Sequence, residues 1–455
     1  MGTSAQTGCR ATTLEEDLPS TRLSEPHWDL AFIGILAYLF VEFTRLPEMF
    51  PVLAVLHVGW IALGMSALGH LISPPSLRVP VPGRLVIDLA MGAFFFANFI
   101  SACFADFPEP AWEGVKVSLS WLAVYFLISR IVNNSWRLRV FVFVYLLLNL
   151  KLAQFAVRYY FFQRRFYDEM VVITQGAGAG ATGFFGNSAD LGVAMCVVWP
   201  VALCLLFSKP KGLYKFFLLA CSATYLVAIL LCGSRGAVVG ACGVALAGWG
   251  RSPKKLVAFL MVVLLLPGIY FVLPDASKER FQSAANWEQD ATASSRIRFW
   301  KAGLHMFRTH PIFGIGPGNF PETYAASYGE QDPGLRPVQH SIYVQSLSEF
   351  GAFGSLAVLA LFLQYVRLNG RTRKRLSELG PSEKQSREYW LAVGLDLALV
   401  GFLVSGVFVS VLVYPHLWFL LSLSVSLGTV VARNEWARGL AEQVQGDSEL
   451  VPAGS

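Results

Sequence analysis

At 455 residues, 55% hydrophobic and only 15% charged, the chain excludes both an ordinary soluble domain and a disordered polymer. Its formal charge of +6 is spread over separate loops, so no nucleic-acid-binding stripe is present. The seven cysteines are odd in number and scattered through apolar runs without a C-x-x-C, which argues against a disulfide framework or a thiolate metal site.

In chain order, residues 1–27 read as a polar cytoplasmic tail of mixed charge, unlike a cleavable signal peptide. Apolar runs long enough to span a bilayer follow at about 28–46, 49–72, 84–104, 112–132, 138–157, 185–207, 212–232, 235–250 and 254–274. Gly233-Ser234 alone separates the seventh from the eighth, so that pair also fits a hairpin or a broken helix. Residues 275–339 form a large polar loop, the last three runs lie near 340–366, 389–412 and 415–432, and 433–455 is a polar cytoplasmic tail. The expected fold is therefore all-α and polytopic, with about twelve transmembrane helices and one large outer loop containing amphipathic helices.

Charge in the short connections sets the orientation. Arg78 and Arg84, then Arg130, Arg137 and Arg139, then Lys209, Lys211 and Lys215, then Arg251, Lys254 and Lys255, then Arg371, Arg373, Lys374 and Arg375 all fall on one side. Asp106 and Glu109 fall on the other. Both termini are thus expected inside and the 275–339 loop outside. Arg158, Arg164, Arg165 and Arg235 run against this trend on the outer side, and an anionic ligand there would explain them.

Arg235 lies between Ser234 and Gly236 at the head of a Gly/Ala-rich run; close packing there would leave the guanidinium seeking an anion, and phosphate suits its fork. Residues 296–308 place Ile297, Trp300, Leu304 and Phe307 on one helical face, with either Arg296 or Arg298 free to point inward. In HPIFGIGPGNF (310–320), Gly314, Gly316 and Gly318 lack the context of a phosphate-binding loop, so a rigid turn seating the loop on the membrane helices is the better reading. His340 stands where the loop re-enters the membrane, followed by Tyr343, Gln345, Ser346 and Glu349 on one polar face. A neutral histidine there suits a general base, and a buried Glu349 is expected to have a structural partner such as an arginine. No metal-binding motif or cofactor fingerprint is present, and Asp106 with Glu109 is the nearest approach to a metal pair.

S-R-G at 234–236, R-I-x-x-W at 296–300, the 310–320 segment and H-S-x-Y-x-Q-x-L-x-E-F-G at 340–351 together resemble the O-antigen ligase and polymerase superfamily of bacterial envelope glycosyltransferases. Ser341 stands where that family commonly has asparagine. The resemblance implies a metal-independent, inverting transfer without cofactor. The donor would be an undecaprenyl-diphosphate-linked glycan at the outer face of the inner membrane, and the acceptor a glycan or lipid A–core hydroxyl. Catalysis would fall to His340, Arg235 and Arg296, and substrate binding to Arg298, Gly316, Gly318, Glu349, Arg164 and Arg165. A polysaccharide polymerase, a protein O-oligosaccharyltransferase and, from another class, a transporter or flippase remain alternatives, with membrane lipids as partners and nucleic acid excluded.

Overall fold

The structure is a computed structural model that describes residues 28–44, 50–73, 79–158, 188–251, 291–330 and 332–450, together with positions 47, 255 and 256. No strand occurs among the described residues. The described residues form fourteen α-helices: α1 (Leu30–Thr44), α2 (Pro51–Val55), α3 (Val58–Ile72), α4 (Arg84–Cys103), α5 (Pro108–Ile131), α6 (Ser135–Arg158) and α7 (Ser188–Leu206), then α8 (Gly212–Leu231), α9 (Arg235–Arg251), α10 (Ala291–Thr309), α11 (Phe320–Tyr328), α12 (Ile342–Glu378), α13 (Arg387–Ser405) and α14 (Pro415–Leu450).

Polar residues at the heads of several helices stop the chain where the hydropathy pattern alone is ambiguous. Asp29 Oδ1 accepts the Phe32 N–H at 2.8 Å, Asn134 Oδ1 that of Arg137 at 2.8 Å, and Ser234 Oγ that of Ala237 at 3.3 Å. Ser341 caps α12 and Ser386 caps α13 in the same way. Gly233, with φ of 66°, and Ser234 thus make a true break between α8 and α9.

Among the described residues, eight helices are long and apolar enough to cross a membrane: α4 to α8, α12, α13 with its short extension to Phe408, and α14. About twelve were expected over the whole chain, and the other expected runs are shorter helices or lie partly outside the described residues. α3 has 15 residues, about 22 Å at 1.5 Å per residue, against a hydrocarbon layer of about 30 Å, and α1 is described over 15 residues, up to Thr44. The run expected at 49–72 is broken by His57, whose φ of 48° separates α2 from α3. α9 is described over 17 residues, up to Arg251, and starts on an arginine. The run at 254–274 lies almost wholly outside the described residues.

The chain is a multi-pass membrane bundle whose neighbours alternate in direction. At one end, Ser101 near the close of α4 meets Glu349 near the start of α12, and Asp190 at the start of α7 meets Tyr414 just before α14. At the other, Arg84 at the start of α4 reaches Thr429 on α14, and Arg438 reaches Glu383. The spanning stretch of α14 is wholly buried, so this helix is the axis of the core, with Trp418 and Phe419 among the rings of α1, α4, α5 and α6. Leu71, Leu85, Leu89 and Leu356 face outward, as an apolar solvent requires.

Candidate active site

The site is built where the loop after α9 returns to the bundle. α12 runs over 37 residues but is broken at Gly351, whose φ of 63° and ψ of −163° are not helical. That break frees main-chain groups on both sides, and the 311–316 turn takes them up. Ile315 N–H donates to the Ser348 carbonyl at 2.9 Å and Gly316 N–H to the Glu349 carbonyl at 3.1 Å. In return Ala352 N–H donates to Pro311 O at 2.8 Å and Phe353 N–H to Ile312 O at 3.1 Å. The contact needs glycine: a Cβ on Gly351 would lie 2.4 Å from Ile312 O, and one on Gly314 would lie 2.5 Å from Glu349 O. The glycine-rich turn is therefore a seat for the loop, as its sequence suggested. Gly316, expected to bind substrate, already spends its N–H on Glu349.

Beneath this seat Glu349 is buried, 4% exposed. Its carboxylate accepts from Gln339 Nε2 at 2.8 Å and Gln345 Nε2 at 3.3 Å, and the Gly318 amide is directed at it. Among the described residues no arginine pairs with it; neutral donors from both sides of the loop-to-helix junction satisfy it instead. Glu349 thereby holds the residue before His340, while Ser410 holds the residue after it. The Ser410 hydroxyl donates to Gln339 Oε1 at 3.4 Å and accepts the Ser341 N–H at 3.3 Å.

Between these two anchors His340 takes a left-handed backbone, φ 51°, which a non-glycine residue keeps only when its surroundings impose it. Trp300 Nε1 of α10 donates to its carbonyl at 3.4 Å, and its ring faces Phe299 with centroids 6.2 Å apart. Burial, and secondarily the nearby Arg296 guanidinium, push the imidazole down to about 4. Arg296 and His340 are thus electrostatic neighbours, though α10 and α12 are separated by the whole 310–339 segment.

α10 packs inward through the face beside its expected apolar stripe. Phe299, Ala302 and Met306 are buried with Ile315, Phe320 and Tyr324, whereas Leu304 is 40% exposed. Gly303 decides the register, since a Cβ there would lie 2.4 Å from Val344 Cγ1 on α12. Arg296 falls on the His340 side of this face and Arg298 does not. Arg298 pairs with Asp332 at 3.0 Å, and Asp332 also accepts from Tyr324 Oη at 2.6 Å. Burial first, and then that bond, push the Tyr324 phenol up to about 12, so it stays a hydrogen-bond donor.

Arg235 opens α9 at the same end of the bundle. Its neighbour Gly236 is pressed against Phe408, two residues before Ser410, and a Cβ there would lie 2.9 Å from Phe408 Cβ. Asp190 and Tyr414, bonded at 2.7 Å, belong to this end as well. Neither they nor Gln339 and Ser410 stood out in the sequence. The available signal was a carboxylate opening an apolar run for Asp190, and none for Ser410. Arg164 and Arg165 lie outside the described residues. Asp106, the nearest candidate metal ligand, faces His310 at 3.8 Å, and no group of three His, Cys, Asp or Glu that would hold a metal occurs among the described residues.

Residues 218–359 match the family model described as O-antigen ligase. No curated protein matches the chain. The matched segment contains Arg235, Arg296, His340 and Glu349 together with the glycine-rich turn, so this stretch of the multi-pass membrane chain is similar to the O-antigen ligase family.

Proposed function

We propose that the protein transfers an oligo- or polysaccharide from an undecaprenyl-diphosphate carrier to an acceptor hydroxyl, at the periplasmic face of a bacterial inner membrane. The observation that carries this reading is an imidazole held neutral beside a guanidinium where the loop enters the bundle. Arg235 and Arg296 bind the diphosphate, whose geometry suits two guanidinium forks. His340 is neutral at every pH well above 4, hence free to accept a proton, but in the empty site it is a weak base. A diphosphate on Arg296 offsets the neighbouring positive charge and raises the basicity of the imidazole at the moment of need.

The acceptor hydroxyl then gives its proton to His340 while its oxygen attacks the anomeric carbon of the donor. The bond from that carbon to the diphosphate breaks, and its electron pair leaves on the diphosphate, where the arginines stabilise it. One displacement inverts the anomeric centre and needs no covalent enzyme intermediate. The general base supplies about 10²–10⁴-fold, and positioning with electrostatic stabilisation supplies the remainder. Lipid A–core is the favoured acceptor, because a single outer loop with a compact turn offers little mass for grasping a folded protein.

The test is transfer by the reconstituted protein from a polyprenyl-diphosphate glycan to lipid A–core, to free glycan chains or to a peptide. His340→Ala should abolish product while donor binding persists. A carrier that merely moved the lipid-linked glycan would be indifferent to the substitution, and retained transfer by His340→Ala would overturn the proposal.

A further inference from the structure

The end of the bundle remote from His340 carries a second, unconnected feature. Where the first turn of α6, the α7–α8 connection and the first turn of α13 meet, an open cleft of about 310 Å³ is lined by Arg139, Lys209, Lys211 and Arg387. Glu388 is the one carboxylate among its lining residues. The volume lies at the low end of the range usual for small-molecule sites, ~300–1,000 Å³.

Four cations from three different helix ends thus converge on one hollow. Among the described residues, Arg139, Lys211 and Arg387 form no ion pair, and Lys209 donates only to the neutral Gln385, at 2.9 Å. The Arg387 guanidinium lies over the Tyr214 ring, 4.9 Å from its centroid, where the cleft meets an adjoining crevice. Like charges gathered in this way repel one another until an anion joins them.

A second observation says what kind of anion. Arg139, Arg387 and Glu388 also line an adjoining shallow crevice whose other walls are Leu138, Val142, Leu205, Tyr214 and Leu391. Just beyond, Phe207, Leu213 and Phe216 are exposed at 54%, 87% and 67%. The cationic hollow therefore opens directly onto hydrocarbon-facing surface, at the level where helices emerge from the membrane.

We propose that this cleft binds the phosphodiester head group of an anionic phospholipid, with the cations on the phosphate and an acyl chain along the apolar crevice. Glu388 repels a dianionic phosphate monoester and accepts a hydrogen bond from a hydroxyl-bearing head, which favours a glycerol-type head group over free phosphate. The site is independent of the proposed glycan transfer.

The test uses the full-length protein in nanodiscs of zwitterionic lipid doped with fluorescent phosphatidylglycerol, with native mass spectrometry counting retained lipid. Arg139→Gln combined with Lys211→Gln should weaken binding by about 5-fold per cation removed, about 25-fold in all. Arg367→Gln combined with Lys374→Gln, both exposed on α12, should leave it unchanged. Equal loss in the two pairs would mean diffuse attraction to a basic surface and would overturn the proposal, as would equal retention of zwitterionic lipid. Inorganic phosphate should not compete; competition at comparable concentration would show a free-phosphate site and overturn the lipid assignment.

Discussion

Replacing Glu349 separates its charge from its shape, and the structure sets the two outcomes apart. In Glu349→Ala the Gln345 amide loses its one acceptor and the Gln339 amide keeps only Ser348 Oγ, 3.3 Å away. A buried donor left unsatisfied costs about 1–3 kcal/mol. With the Gln345 and Gly318 donors bare and the Gln339 donor weakened, the loss should be about 2–6 kcal/mol, before counting the void left by the side chain. Glu349→Gln behaves differently. Its new carbonyl still accepts from Gln339, and its new NH₂ needs an acceptor near Gln345. Gln345 Oε1 is buried without a partner in the native site, so a flip of that amide supplies one. The Gln variant should lose less than about 1 kcal/mol. Equilibrium unfolding in mixed micelles, followed by tryptophan fluorescence, reads both values. Transfer activity should fall with Ala and survive in large part with Gln, because Glu349 acts by holding Gln339 beside His340. Equal damage from the two variants would refute this reasoning and assign the negative charge itself to the reaction.

Other outcomes follow from the same geometry. Gly351→Ala must place a Cβ 2.4 Å from Ile312 O at a φ of 63°, and should cost about 2–4 kcal/mol with loss of transfer; a thermal scan within a degree of the parent would contradict it. Arg296→Gln removes the like charge beside His340, so the imidazole should rise from about 4 toward, but not to, its ordinary 6.5, since burial remains. The acidic limb of kcat/KM should move up with it, and an unmoved limb would detach Arg296 from His340. Lysine at Arg235 or Arg296 keeps the charge but loses the bidentate fork, which should weaken donor binding roughly 10–100-fold; full affinity in both variants would dismiss the diphosphate clamp.

Residue types for the site were legible in the sequence, but their mutual placement was not. His340 announced itself by standing where the loop re-enters an apolar run, and Arg235 by opposing the charge trend. That Arg296 and not Arg298 lies beside the imidazole is invisible to periodicity, because both arginines border the aromatic stripe of α10. Gly303 settles it by letting α10 approach Val344, and the small Ala302-Gly303 pair was the signal available. Glu349 was rightly expected to be buried, but its partners are amides, which no charge pattern reveals. Hydropathy flags the 49–72 run as one span, but only coordinates show that His57 breaks it and leaves α3 with 15 residues.

Four main-chain bonds, with the Phe313–Phe353 ring contact beside them, fasten the 311–316 turn to α12. Such a fastening tolerates wide drift in residue identity at the turn, provided the glycines stay. It also removes the option of the loop peeling away alone: at least four amides and carbonyls would be bared at the membrane edge, where water is scarce. Loop and helix should therefore melt as one unit, so that amide exchange slows together across 312–316 and 348–353 despite their distance along the chain.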